Sequence, residues 1–231
     1  MSPRPRKVSD DQIFEAVYRA MQRVPAAELT LAAVGREAGI TASAVVQRFG
    51  SKQGLLRALN ARFAKGTETM LAGIRESAAT PLAAIRAYAE CFAGMIASRE
   101  TLAHHLGYLQ LDLQDPVTFR HVQRHTRTTR ATLARWVEEA VAAGELRLVP
   151  DGGTGIARAA GAAATAGTAG AEGAAGATGA SDDSAASLAR AIHTAVNGSM
   201  MTYPFFREGA PVAWLRADLE LALRPYLPGA R

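Results

Sequence analysis

The chain has 231 residues, of which 48% are hydrophobic, 6% aromatic and 20% charged, with one cysteine and a formal net charge of +5. That length supports one ordinary domain and a smaller one, and argues against a large multidomain enzyme. A single cysteine excludes an internal disulfide, no run reaches the ~18 uninterrupted apolar residues of a membrane helix, and no apolar signal-peptide stretch follows the basic opening MSPRPRK. A soluble protein in a reducing cytoplasm, without membrane contact, is the expectation. The charge is unevenly placed: residues 1–65 hold 11 Lys/Arg against 5 Asp/Glu, residues 66–231 hold 15 against 16. The excess positive charge lies at the amino-terminal end, which suits contact with a polyanion.

Ala, Leu, Arg and Glu dominate and apolar residues recur at helical spacing, so the expected fold is all-α. Residues 1–7 form a basic arm, expected to be flexible. The first helix runs from Ser9 to about Arg23 with Ile13, Val17, Ala20 and Met21 on one face, Ser9 as its cap and Pro25 as a stop. A short second helix opens at Thr30 and turns Leu31, Val34 and Ala38 inward, and Gly39 supplies the turn. Thr41 caps a third helix that ends near Arg48, with Val45 and Phe49 inward. Ser51 caps a long fourth helix carrying Leu55, Leu56, Leu59, Phe63, Met70, Leu71 and Ile74.

The pattern continues after Pro81 through Ile85, Tyr88, Phe92 and Met95, then through Leu102, Leu106, Leu109 and Leu113. A helix from Pro116 bears Val122, Thr129, Leu133, Trp136, Val137 and Val141, and Gly144 ends it. Composition then breaks. Of the 36 residues from Asp151 to Ala186, 24 are Gly or Ala, too little apolar bulk to offset ordering entropy, so this segment reads as a flexible linker. Helical pattern resumes at Ser187 with Leu188, Ile192, Val196 and Met200, and a last helix after Pro211 carries Leu215, Leu219, Ala222 and Tyr226. These two helices suit packing against another helix pair, which points to a homodimer.

Helix two, the Gly39 turn and helix three form a helix-turn-helix whose second helix has a free outer face able to enter a major groove. The stretch TLAAVGREAGITASAVVQRFGSK, residues 30–52, resembles the DNA-binding segment of the TetR (tetracycline-repressor) family of bacterial transcriptional regulators. The opening Thr, the A-G-I-T turn, the aromatic closing helix three and the S-K pair opening helix four fall at the family spacing. The resemblance implies phosphate contacts from Thr30, Ser43 and Lys52 and a reading face of Thr41, Ala42, Ala44, Gln47 and Arg48, where Gln can pair with adenine and Arg with guanine. One departure stands out: the family usually carries a Leu-Tyr pair where this chain has Val45-Val46, and Val46 cannot donate a hydrogen bond to phosphate. Arg4, Arg6 and Lys7 could reach a minor groove as an arm.

The resemblance further implies a palindromic double-stranded DNA operator, a homodimer joined through the last two helices, and a mostly apolar cavity for a small effector that relieves repression. Tyr88, Phe92, Met95, His105, Tyr108, Leu109, Trp136, His193, Asn197 and Met200 are the candidate lining residues. The expected organisation is a DNA-binding domain over 8–53, a regulatory domain over 54–150, the linker over 151–186 and dimerisation helices over 187–231. His121 and His125 lie four apart, but the arginines around them would repel a metal. Cys91 reads as a small core residue, and His104 and His105 point to different faces. Gly153-Thr-Gly155 leads to Arg158 instead of a third glycine, and Met201 replaces the last glycine of a nucleophile elbow, so neither an enzyme nor a cofactor is expected.

Overall fold

The computed structural model describes residues 8–96, 98–148, 185–206 and 209–229. The expected basic arm lies outside the described residues, and so does nearly all of the expected linker. All the regular structure described is helical: α1 (Asp10–Met21), α2 (Leu31–Ala38), α3 (Ala42–Phe49), α4 (Lys52–Ser77), α5 (Pro81–Glu90), α6 (Arg99–Gln114), α7 (Pro116–Ala142), α8 (Ala185–Phe206) and α9 (Pro211–Leu223). Short 3-10 turns span Ala93–Ile96 and Arg224–Tyr226. None of these helices is long and apolar enough to cross a membrane.

Two compact units emerge, one from residues up to Thr67 with 97–126, the other from 68–96 with the residues after Thr126. This cuts across the division expected at residue 54: α6 joins the first unit, and α4 and α7 each contribute to both. The first unit buries Ile13, Val17, Leu29, Val34, Val45, Leu55 and Leu59, with Tyr108 of α6 among them. Each such large aliphatic contributes roughly 1.5–3 kcal/mol on burial.

The second unit buries Ile85 and Tyr88 of α5, Leu133, Trp136 and Val137 of α7, Leu188, Ile192 and Val196 of α8, and Leu215, Leu219 and Leu223 of α9. Thr80 caps α5 by accepting from the Ala83 amide at 3.2 Å, and Pro81 sits in the first turn, where its missing N–H costs nothing. Arg86 of α5 grips Glu220 of α9 through two hydrogen bonds of 2.5 and 3.1 Å. Helix α8 starts at Ala185, two residues before the expected Ser187.

Several expected faces are corrected. On α6 the inward residues are Leu102 and Tyr108, while Leu106, Leu109 and Leu113 are exposed. Tyr108 wins the inward place because its ring packs in the core while its hydroxyl reaches the Val24 carbonyl at 3.4 Å, the amphipathic arrangement a leucine cannot offer. Phe63 and Met70 of α4 are exposed as well; Phe63 instead lies against the His125 ring at 4.7 Å. Cys91 is no core residue: it is exposed at the end of α5, with its thiol donating to the Ala87 carbonyl at 3.3 Å.

Candidate nucleic-acid interface

Local chemistry starts each helix of the amino-terminal trihelical segment. Ser9 Oγ accepts from the Gln12 amide and the Gln12 side chain accepts in return from the Ser9 amide at 2.9 Å, a capping box that begins α1. Thr30 Oγ1 accepts from the Ala33 amide at 3.1 Å and starts α2; Thr41 Oγ1 accepts from the Ala44 amide at 3.2 Å and starts α3. Ser51 does the same for α4 through the Gly54 amide at 3.0 Å. Between α2 and α3, Gly39 adopts φ 71°, a left-handed conformation that ends α2, and the next amide, of Ile40, donates back to the Gly35 carbonyl at 2.8 Å.

Two further glycines set how tightly the motif closes, and the sequence reading missed both. A Cβ on Gly35 would stand 2.8 Å from the Ile40 carbonyl oxygen, and one on Gly54 would stand 2.0 Å from that of Phe49. A glycine inside a helical pattern costs about 1 kcal/mol relative to alanine, so its presence is the signal that backbone approaches there.

Helix α3 turns Val45 fully into the core and presents Thr41, Ser43, Val46, Gln47 and Arg48 outward, with Ala42 and Ala44 half-buried beside them. Val46, where the family usually has tyrosine, is 44% exposed. Thr41 and Ser43 share a hydroxyl hydrogen bond of 2.9 Å. Arg48 is engaged within the chain: it donates to the Val8 carbonyl at 2.6 Å and pairs with Asp10, so it fastens the end of α3 to the start of α1. Asp10 is a third residue whose role the sequence does not reveal. Lys52 also turns inward, donating to the Ala26 carbonyl at 2.5 Å, and burial lowers its pKa. Arg19 and Arg23 of the α1 end both reach Glu37 of α2.

The ten candidate effector-lining residues are divided between the two units. His105, Tyr108 and Leu109 belong to the first unit; Tyr88 and Trp136 lie in the packed core of the second, with Phe92 against Tyr88 at 5.2 Å between ring centroids. On α8, Asn197 is exposed and donates to the His193 carbonyl at 2.7 Å, and Met200 packs partly buried on the core. The Met95 side chain lies outside the described residues. Within the second unit, Trp136 Nε1, Thr129 Oγ1 and Ser199 Oγ are buried with no hydrogen-bond partner among the described residues. His125 bonds to Thr67 at 2.7 Å, and among the described residues no group of three His, Cys, Asp or Glu is placed to hold a metal ion.

Capped short helices, a left-handed glycine between them and an outward polar face on the second helix define a helix-turn-helix DNA-binding protein. Residues 13–59 match the model of the bacterial regulatory proteins of the tetR family. The fold of almost the whole chain is also that of solved regulators. A TetR transcription regulator from Haloarcula marismortui is similar at TM-score 0.65 and 13% identity, covering 94% of this chain and 97% of its own. SmeT, the repressor of the Stenotrophomonas maltophilia multidrug efflux pump SmeDEF, is similar at 0.56 and 19%, covering 97% and 94%. FadR from Bacillus subtilis, in complex with stearoyl-CoA, is similar at 0.57 and 15%, covering 93% and 98%. No curated protein sequence matches the chain. Residues 13–59 therefore carry the DNA-binding domain of the tetR family of bacterial regulatory proteins, within a chain that shares the fold of solved TetR regulators.

Proposed function

We propose that the chain is a homodimeric repressor that binds a palindromic operator and releases it when a small, mostly apolar effector enters the second unit. The observation that carries the DNA part is the outward face of α3, where Thr41, Ser43 and Gln47 are exposed and the helix start offers free backbone donors. Gln47 is the direct base reader in this proposal, matched to adenine. Thr30 and Ser43 contact phosphates. Arg48 and Lys52 join them only by leaving Asp10 and the Ala26 carbonyl. Ala42 and Ala44 shape the apolar part of the reading face.

Two-fold symmetry is supported by the apolar surface left on the last two helices, where Phe205 is 79% and Leu221 61% exposed. Residues 8–53 serve DNA binding; the rest of the described chain serves regulation and pairing. The effector reading rests on the buried donors of Trp136, Thr129 and Ser199, which have no partner among the described residues and which an acceptor-bearing apolar molecule would satisfy. The efflux-pump repressor and the acyl-CoA complex among the similar structures support repression and an apolar effector. Operator and effector then oppose each other by one coupling free energy.

Sequencing of genomic DNA recovered with the protein tests the reading. A recurrent palindrome with half-sites about one helical turn apart is expected. Recovery without any shared sequence would overturn it.

A further inference from the structure

Within the first unit, the connection between α1 and α2, the start of α4 and the end of α6 surround a cleft of about 410 Å³. That is the size of a site for a small organic molecule. Ala26, Ala27, Leu56 and Leu111 supply apolar wall, and Lys52 and Asp112 contribute charge.

Its charges are unevenly served. Asp115, also on the wall, is held by Arg57 through hydrogen bonds of 2.6 and 3.1 Å and accepts from the Val117 amide at 3.0 Å. Lys52 is committed to the Ala26 carbonyl. Asp112 is different: it is half-buried, one of its oxygens accepts from Asn60 Nδ2 at 3.0 Å, and it has no ion-pair partner among the described residues. A carboxylate partly removed from water without a counter-charge is unfavourable, and burial pushes its pKa up to about 6. A cation placed on Asp112 would relieve that cost; Lys52, on the same wall, keeps its charge while its ammonium is held on the neutral Ala26 carbonyl.

We propose that this cleft binds a small organic cation, its ammonium group on Asp112 and its apolar body against Ala26, Ala27, Leu56 and Leu111. The site goes beyond the effector reading, which concerns the second unit. It holds the connection before α2 and the first turn of α4, the segments that flank the helix-turn-helix. If Lys52 contacts DNA phosphate as proposed above, occupancy of the cleft is thermodynamically linked to operator affinity.

Calorimetric titration of the full chain, without DNA, with phenethylammonium, hydrocinnamate and phenethyl alcohol tests the proposal. The ammonium compound should bind at least about tenfold more tightly than the anion or the alcohol. Asp112→Asn should lower its affinity at least about tenfold, and Ala27→Trp, which fills the cleft with Asp112 intact, should abolish it. No binding of the ammonium compound, equal binding of the three probes, or full affinity in either folded variant would overturn the proposal. Should Asp112→Asn fail to fold by circular dichroism, Ala27→Trp decides. Because DNA is absent, loss of the regulator reading would leave this result untouched.

Discussion

The two units differ in how fully their polar side chains are served. In the first, the hydroxyls of Ser9, Thr30, Thr41 and Ser51 each stand at a helix start and accept an otherwise unserved amide. In the second, Thr80 caps α5 in the same way, but the Thr129 and Ser199 hydroxyls and the Trp136 indole N–H are buried with no partner among the described residues, as His105 Nε2 is in the first. A capped helix is defined by a few neighbouring residues, so the first unit holds its reading helix in one place. Unsatisfied donors cost about 1–3 kcal/mol each, and a core that keeps them gains most from a partner that enters it.

That contrast can be broken, starting with the largest effect. Trp136→Ala should lower stability by about 3–5 kcal/mol, read from the urea midpoint, because the ring is fully buried among α5, α7 and α8 side chains. A loss under 1 kcal/mol would mean that the ring sits in a loose, fillable space. Gly54→Ala should cost about 1–3 kcal/mol and reduce operator binding, since the added methyl meets the Phe49 carbonyl. Thr41→Ala should cost about 1 kcal/mol and Thr80→Ala about the same, one cap in each unit, read from the urea midpoint; a much smaller loss at Thr41 would show that the local cap does not hold the start of α3.

The smallest effect is a pH slope. Asp112 titrates near 6 in the folded chain against about 3.9 when unfolded, so between these values the folded state holds more protons and stability falls as pH rises. Asp115 acts in the other direction: Arg57 holds its carboxyl well below the usual range, so its contribution is present above about pH 4 and is lost in stronger acid. Comparing wild type with Asp112→Asn by thermal melts between pH 4.5 and 7, a range set by about these two values, should isolate the first slope. Parallel pH profiles would contradict the burial assigned to Asp112.

Much of the first unit is legible in the sequence because its signals are local. Thr30, Gly39 and Thr41 act on amides within four residues, and each stands where the capping pattern puts it. Arg48 is the counter-example. Its partners Val8 and Asp10 lie about forty positions away, and nothing in its own neighbourhood distinguishes a base-reading arginine from a fastened one. Lys52 and Tyr108 likewise take their places from residues of distant helices. The leucine stripe of α6 misleads for the same reason: periodicity shows that a helix has faces, but the neighbours decide which face is covered. The candidate effector residues follow from the family resemblance and from helical faces, neither of which shows how the chain divides, and the structure places them in two units.

The ion pairs of the first unit change what its basic composition means for DNA. Arg19 and Arg23 share Glu37, Arg48 faces Asp10, Arg57 faces Asp115 and Arg62 faces Asp11. A cation already neutralised by a carboxylate displaces few condensed counterions from a duplex, because it must first give up its own partner. The salt dependence of operator binding should therefore be set by the cations that remain unpaired, neutral helix-start amides adding contacts without a salt slope, and be shallower than a count of Lys and Arg implies. In the complex proposed above, the same pairs should weaken binding to duplex of arbitrary sequence and leave discrimination to the outward face of α3.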